Sequence, residues 1–370
     1  MIARCLVASA VLLAVCAAPA SARDPGRWLL TGYTSVPISY WQGMTAAPGG
    51  SFLFSGPVQG AYRTRSSLRQ VAAIDPAIPA SVLATEGYNH VGDISYDRAE
   101  GGRLLLPLEC YQPGGPNGGN TCGTGAIGSA DPASLAFRYY VKLDPAEIAK
   151  AMWVEASPDG ELLWTSSGPD LLAYRAADVN PAGAAPAAAP IRAVRRLAGA
   201  VPPSGVTGAA FHRGRLLLAG ATGTTYQVWS VDTASGSRRL ELELRNVAGE
   251  AEGLHAGRLL NGELQWLIAP LASKPTFGPE VGLLHFARAS GTPGLRVRAR
   301  ATARSRVSVR VTRRGAPVAG ASVTVASGRA RTDARGVARL RLSLAEPGRY
   351  AVLARKGRLR GLSSRLALGR

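Results

Sequence analysis

Seven side chains of acid–base or metal-binding type recur near the same position of a repeated extended segment: Gln42, His90, Asp93, Glu155, Thr207, Glu250 and Glu252. Several carboxylates beside an imidazole and amide or hydroxyl oxygens form a donor set that suits Ca²⁺, a hard cation that takes oxygen ligands. Asp93, Glu155 and Glu252 are the candidate metal ligands, and His90 and Asp93 the candidate catalytic pair. Gln42, His90, Thr207 and Glu250 are the candidate ligand contacts. With a bound metal and a His base, the reaction class is metal-assisted hydrolysis of an ester or lactone. That hydrolytic reading is the alternative; the first reading is that all of them are ordinary polar groups bonded to water and backbone, in a protein that binds a ligand or partner without catalysing. No P-loop, HExxH, GxSxG or paired CxxC pattern is present. Gly123-Thr-Gly-Ala-Ile-Gly128 spells GxGxxG, but it follows a loop and opens no helix, so it carries no nucleotide fingerprint.

The elements that must position these residues form a repeat. A tight turn ending in Gly, followed by a short apolar run, recurs at Gly50, Gly102, Gly160, Gly214 and Gly262. Asp-Gly and Asn-Gly between extended runs are hairpin signals, because such turns need φ > 0. An extended segment precedes each turn, and a third follows each apolar run: Leu68–Asp75, Phe137–Asp144, Leu171–Asp178, Tyr226–Asp232 and Gly282–Ala287. Four strands per unit of roughly 50 residues is the signature of a propeller blade. The fold class is therefore all-β: a β-propeller of five blades, with six as the alternative count, followed by a small β-sandwich. The fifth unit lacks its own outer strand, and Arg27-Trp-Leu-Leu30 is a strand without a blade, able to complete that unit and latch the ring. The low-complexity run Pro181–Pro190 is expected as a loop between the third and fourth blades.

Charge divides the chain again. Residues 294–370 hold 19 Arg and one Lys against one Asp and one Glu, whereas residues 23–293 balance 22 basic against 22 acidic side chains. Two regions under different charge rules suggest a propeller over 23–293 and a basic sandwich over 294–370. Arg4, the apolar stretch Cys5–Ala18 and Pro19-Ala-Ser-Ala22 read as an export signal over residues 1–22, cut after Ala22. The rival is a lipoprotein signal at Leu13-Ala-Val-Cys16. The expected location is outside the cell, with no transmembrane span in the body of the chain. Cys110 and Cys122, the pair left after the signal, read as a disulfide in an exported protein. Arg296, Arg298 and Arg300 share one strand face and Arg339 and Arg341 another. An anionic cell-envelope polymer is the expected partner; no aromatic pattern supports specific nucleic-acid reading. The competing explanation is compositional, since Arg outnumbers Lys by 39 to 4 along the whole chain.

Two resemblances add to this. Ala251-Glu-Gly-Leu254 and Trp153-Val-Glu-Ala-Ser-Pro-Asp-Gly160 resemble the blade motifs of secreted propellers of the lactonase, gluconolactonase and NHL-like kind, over roughly residues 27–290. Arg314-Gly-Ala-Pro-Val-Ala-Gly-Ala-Ser-Val-Thr-Val325, Thr332-Asp-Ala-Arg-Gly336 and Gly348-Arg-Tyr350 resemble carboxypeptidase-regulatory-like and bacterial Ig-like domains. The first resemblance implies a propeller, and the second a small non-catalytic sandwich.

Overall fold

Each Gly-ended turn joins two antiparallel strands. Gly50 (φ 73°), Gly102 (φ 101°), Gly160 (φ 76°) and Gly214 (φ 76°) occupy the left-handed region that other residues avoid. The computed structural model describes residues 28–56, 58–98, 101–112, 119–185, 188–245, 247, 249–259, 262–270, 281–288, 292–303, 306–325, 328–341 and 348–368. The export signal and its cleavage site lie outside them.

Five antiparallel sheets build the propeller. The first blade comprises Gly43–Ala47, Ser51–Ser55, Ala61–Arg65 and Gln70–Ile74. In the second, the inner strand is split into His90–Val91 and Ser95–Asp97; both pieces pair with Arg103–Glu109, which is followed outward by Ala126–Ala130 and Phe137–Lys142. The third holds Glu155–Ala156, Leu162–Ser167, Asp170–Arg175 and Arg195–Leu197, and the fourth Gly208–His212, Arg215–Thr222, Thr225–Val231 and Arg238–Arg245. The fifth takes Glu250–His255, Leu264–Ala269 and Val281–Arg288 from its own stretch of chain. Its outer strand is Trp28–Val36, paired antiparallel along Val281–Arg288. The N-terminal strand therefore completes the last blade and latches the ring.

Two strand assignments change. Leu68–Asp75 and Phe137–Asp144 are fourth strands; the third strands are Ala61–Arg65 and Ala126–Ala130. The second of these contains the last residues of the GxGxxG string, in a strand that small buried residues allow to pack closely. The Pro181–Pro190 run joins the third and fourth strands of the third blade rather than two blades; Pro186 and Ala187 lie outside the described residues.

Apolar clusters fill the spaces between the blades, with Trp153, Trp164 and Trp266 fully buried. One charged pair sits among them. Arg103, 1 % exposed, bonds Asp97 Oδ2 at 2.8 Å, donates to the carbonyls of Ala176 and Val179, and reaches the Tyr139 hydroxyl at 3.2 Å. It ties the second blade to the turn that follows the third strand of the third blade.

After the ring, two sheets form a sandwich. One contains Thr292–Pro293, Ser322–Val325, Gly328–Arg331, Gly348–Lys356 and Leu359–Leu368; the other contains Arg296–Ala303, Arg306–Arg313, Ala316–Pro317 and Val337–Arg341. Val307, Val309, Val311, Val323, Val325 and Val352 fill the space between them. Strand pairing starts at Thr292, two residues ahead of the expected start at 294.

Candidate functional site

The propeller axis is packed shut. Inner strands of neighbouring blades run side by side in parallel, as in the bridge between Asp93 and Trp153. They approach so closely that a Cβ on Gly92 would lie 1.9 Å from the Met152 carbonyl oxygen, and one on Gly253 2.6 Å from Gly43 Cα. Asp93 sits in this centre at 1 % exposure and bonds all four other blades. Its Oδ1 accepts from Met44 N–H (3.0 Å), and its Oδ2 from Ala209 N–H (2.9 Å) and Leu254 N–H (3.4 Å). Its own backbone pairs with Met152 and Val154. Burial pushes its carboxyl well above the usual carboxylate range despite these donors. Asp93 is the structural hub of the ring.

The inner strands share one direction, so residues just before the axial position open on one face. Gln42 precedes Gly43, Thr207 precedes Gly208, and Glu250 and Glu252 precede Gly253; His90 stands two residues before Gly92. All five line one cavity of 390 Å³, a cup whose floor is the closed axis. Within it, His90 Nδ1 lies 2.8 Å from Glu109 Oε1, a pairing set by the direct register of these two residues across the hairpin. An N–H at Nδ1 donating to that carboxylate leaves Nε2 as the basic atom of a neutral ring. Lys150 Nζ stands 3.9 Å from the other oxygen of Glu109. Glu252, 5 % exposed, accepts from the Trp41 indole N–H at 3.1 Å. Burial first, and the neighbouring Glu250 carboxyl second, push Glu252 well above its ordinary range.

Glu109, Lys150, Trp41 and Tyr111 complete the cup and were not foreseen among the site residues. Tyr111 is 44 % exposed and its ring lies 5.3 Å from that of His90. The expected disulfide between Cys110 and Cys122 is formed, with Cα atoms 5.1 Å apart. It fastens the residue between Glu109 and Tyr111. Asn89, beside His90, exchanges hydrogen bonds with the Tyr111 backbone at 2.6 and 2.9 Å. A second cavity of 600 Å³ continues from the cup, sharing Lys150, Met152, Thr207 and Glu250. Its walls set Asn120, Ser166, Ser167 and Ser204 among small apolar residues and glycines, so it is a trench of mixed polarity with hydroxyl groups along it.

Glu155 lies past the axis and opens on the opposite face with Tyr96 and Phe211. Its oxygens accept from Ser95 Oγ at 2.7 Å and Phe211 N–H at 2.9 Å, and burial raises its carboxyl to about 7. The three carboxylates expected to hold Ca²⁺ are therefore divided among two faces and the closed centre. Asp93 is encircled by N–H donors whose positive ends oppose a cation, and Glu252 is turned to Trp41 and Glu250. Among the described residues no group of three or more His, Cys, Asp or Glu has metal-binding geometry. The donor set does not fit calcium.

No family model matches the chain, and no curated protein matches it. Among solved structures, glutaminyl cyclase from Myxococcus xanthus is similar at 12 % identity and a TM-score of 0.43, covering 72 % of this chain and 100 % of its own. The PQQ-bound aldose sugar dehydrogenase of Streptomyces coelicolor is similar at 11 % identity and 0.36, over 70 % of this chain and 98 % of its own. Exo-β-1,3-galactanase from Phanerochaete chrysosporium gives 11 % and 0.44, over 85 % and 94 %. Likeness at this level concerns architecture alone.

Proposed function

We propose that this is an exported propeller that binds a hydroxyl-rich ligand, a sugar or short oligosaccharide, with one end in the cup and the rest along the trench. One observation carries the reading: Gln42, His90, Thr207, Glu250 and Glu252 line a single closed-floored cavity with Trp41 and Tyr111. Paired hydroxyls need acceptors and donors side by side, which Glu250, Gln42 and Lys150 supply. The faces of two amphipathic aromatics suit the apolar side of a sugar ring. The Cys110–Cys122 bond is in keeping with export. The test is calorimetric titration of neutral mono- and oligosaccharides into the wild-type protein and the Trp41→Ala and Glu250→Gln variants. Expected is saturable binding that each substitution weakens at least tenfold. Absence of binding across the series, or binding that neither variant alters, overturns the reading.

The pairing of His90 with Glu109, in the cavity that Glu252 also lines, favours a second reading, metal-free acid–base hydrolysis of an ester or lactone. His90 Nε2 would take a proton from water as it attacks the carbonyl, and Glu252 would deliver one to the leaving oxygen. Hydrolysis of a lactone series followed by base consumption, lost in His90→Gln and unaffected by EDTA, is the expected signature. A rate that EDTA abolishes, or one unchanged in His90→Gln, removes it.

A further inference from the structure

Alternation along the second sheet of the sandwich sends its valines inward and its arginines outward. Val307, Val309 and Val311 are buried between the sheets, as are Val297, Ala338 and Leu340 on the flanking strands. Arg296, Arg298, Arg300, Arg306, Arg310, Arg339 and Arg341 all emerge exposed on the other side. The two strand faces expected separately are one continuous surface. Register sharpens this: Arg298 stands directly opposite Arg310, and Arg306 directly opposite Arg341. Ser308 separates Arg300 from Arg339 in the row between. Directly opposed side chains have Cβ atoms about 4.5–5.5 Å apart, and like charges so placed repel. Among the described residues the ion pair formed on this face is Arg339 with Asp333, at 3.7 Å and well exposed.

Composition does not explain the arrangement. The propeller draws on the same Arg-rich alphabet, yet it sets Arg103 against Asp97, Arg196 against Asp170, Arg215 against Asp232 and Arg288 against Glu241. A bias toward Arg chooses the cation and not the face. Nor does the surface suit other polyanions equally. None of its outward residues is aromatic, so it offers bases no stacking platform. It presents no bulky apolar side chain to insert below a lipid headgroup plane. What it offers is a flat lattice of forked donors, which suits tetrahedral phosphate oxygens approached two at a time.

We propose that the outward face formed by Arg296–Ala303, Arg306–Arg313 and Val337–Arg341 docks an extended phosphodiester-linked surface polymer, with successive phosphates lying across the opposed arginine pairs. The partner neutralises the cross-strand repulsion, so binding and sheet stability rise together.

The test uses the full mature chain and purified poly(glycerol phosphate) as probe, with uncharged dextran, a 20-base-pair DNA duplex and phosphatidylglycerol vesicles as parallel arms. Expected is binding of poly(glycerol phosphate) that falls steeply with salt, exceeds that of DNA and vesicles, and is absent for dextran. The Arg298→Ser/Arg310→Ser double variant should lose at least tenfold, and Arg298→Lys/Arg310→Lys a smaller factor. A control, Arg65→Ser/Arg69→Ser on the propeller, removes equal charge and should change little. Circular dichroism establishes that each variant is folded. Binding that is absent or independent of salt overturns the proposal. So does an equal loss in the propeller control, and so does DNA or vesicle binding as tight as that of the polymer.

Discussion

The propeller and the sandwich both concentrate like charge, and they treat it in opposite ways. In the ring the acidic groups are drawn inward, so each must be satisfied locally: Asp93 by three backbone N–H groups, Glu252 by Trp41, Glu109 by His90 and Lys150. In the sandwich seven arginines stand on an exposed sheet face, where among the described residues the ion pair formed is Arg339 with Asp333, and water meets the cost of leaving the others without a carboxylate. Burial forces the fold to supply a partner. Exposure leaves the charge free for something outside. Substitution should therefore have opposite signs in the two regions: removing a charge weakens the ring and strengthens the sandwich.

The largest effect is expected at Arg103. Its guanidinium has no access to water and serves Asp97, two carbonyls and a tyrosine hydroxyl at once. Arg103→Met keeps much of the volume but removes the guanidinium that neutralises the buried Asp97 carboxylate. A loss of about 3–5 kcal/mol in urea-denaturation stability is expected. A loss under about 1 kcal/mol, the range of an exposed pair, would mean that the ring does not depend on internal pairing and would dissolve the contrast.

This pair also marks what could be read beforehand. Asp97 and Arg103 flank a Gly-ended turn, so their pairing follows from hairpin geometry. The same hairpin hides the link between His90 and Glu109. The inner strand breaks between Val91 and Ser95 as it passes the axis, and the register moves by one residue between Asp97↔Arg103 and His90↔Glu109. Counting back from the turn therefore gives Glu109 the wrong partner. Five of the seven candidate residues were legible because the strands entering the axis are built alike, with a polar residue before a close-packed position. Asp93 and Glu155 obey the same spacing but fall at and beyond the axis, and spacing alone does not say that four glycines close it. The third strands of the first two blades escaped for a different reason. Ala61–Arg65 alternates Tyr62 and Thr64 with two arginines and has no apolar run, and Ala126–Ala130 holds Ile127 among small residues, so neither shows the short apolar run that marked the other strands.

An intermediate effect belongs to Glu155, which tests whether charge pulled toward the ring's interior is tolerated or suppressed. Burial raises its carboxyl from 4.5 to about 7. The folded protein then holds a proton that the unfolded chain releases from about pH 4.5 upward. Its contribution is complete below that point and is lost as pH rises through about 7. Wild-type stability should decline across this window relative to Glu155→Gln, which has no proton to lose. Parallel pH profiles for the two proteins would show that the far face is wet enough to carry the charge freely.

The smallest effect is the most diagnostic, because its sign is unusual. Arg298→Glu places a carboxylate directly opposite Arg310. It replaces a repulsive cross-strand pair by an attractive one, and a gain of about 0.2–1 kcal/mol is expected from pairs of this kind. Most surface substitutions are neutral or mildly destabilising, so a gain at low ionic strength is not the default outcome. It should shrink on adding salt to about 0.15 M, where the screening length is about 8 Å and comparable with the spacing of the opposed side chains. The same substitution should weaken polyanion binding about as much as the double serine variant, since it changes the charge of the face by the same amount. A protein that becomes more stable while losing a ligand shows that the wild-type face carries repulsion for the sake of binding. A protein that loses stability at low salt shows instead that the arginines support the sheet, through their stems or through water, and that the face is no different in kind from the paired surface of the ring.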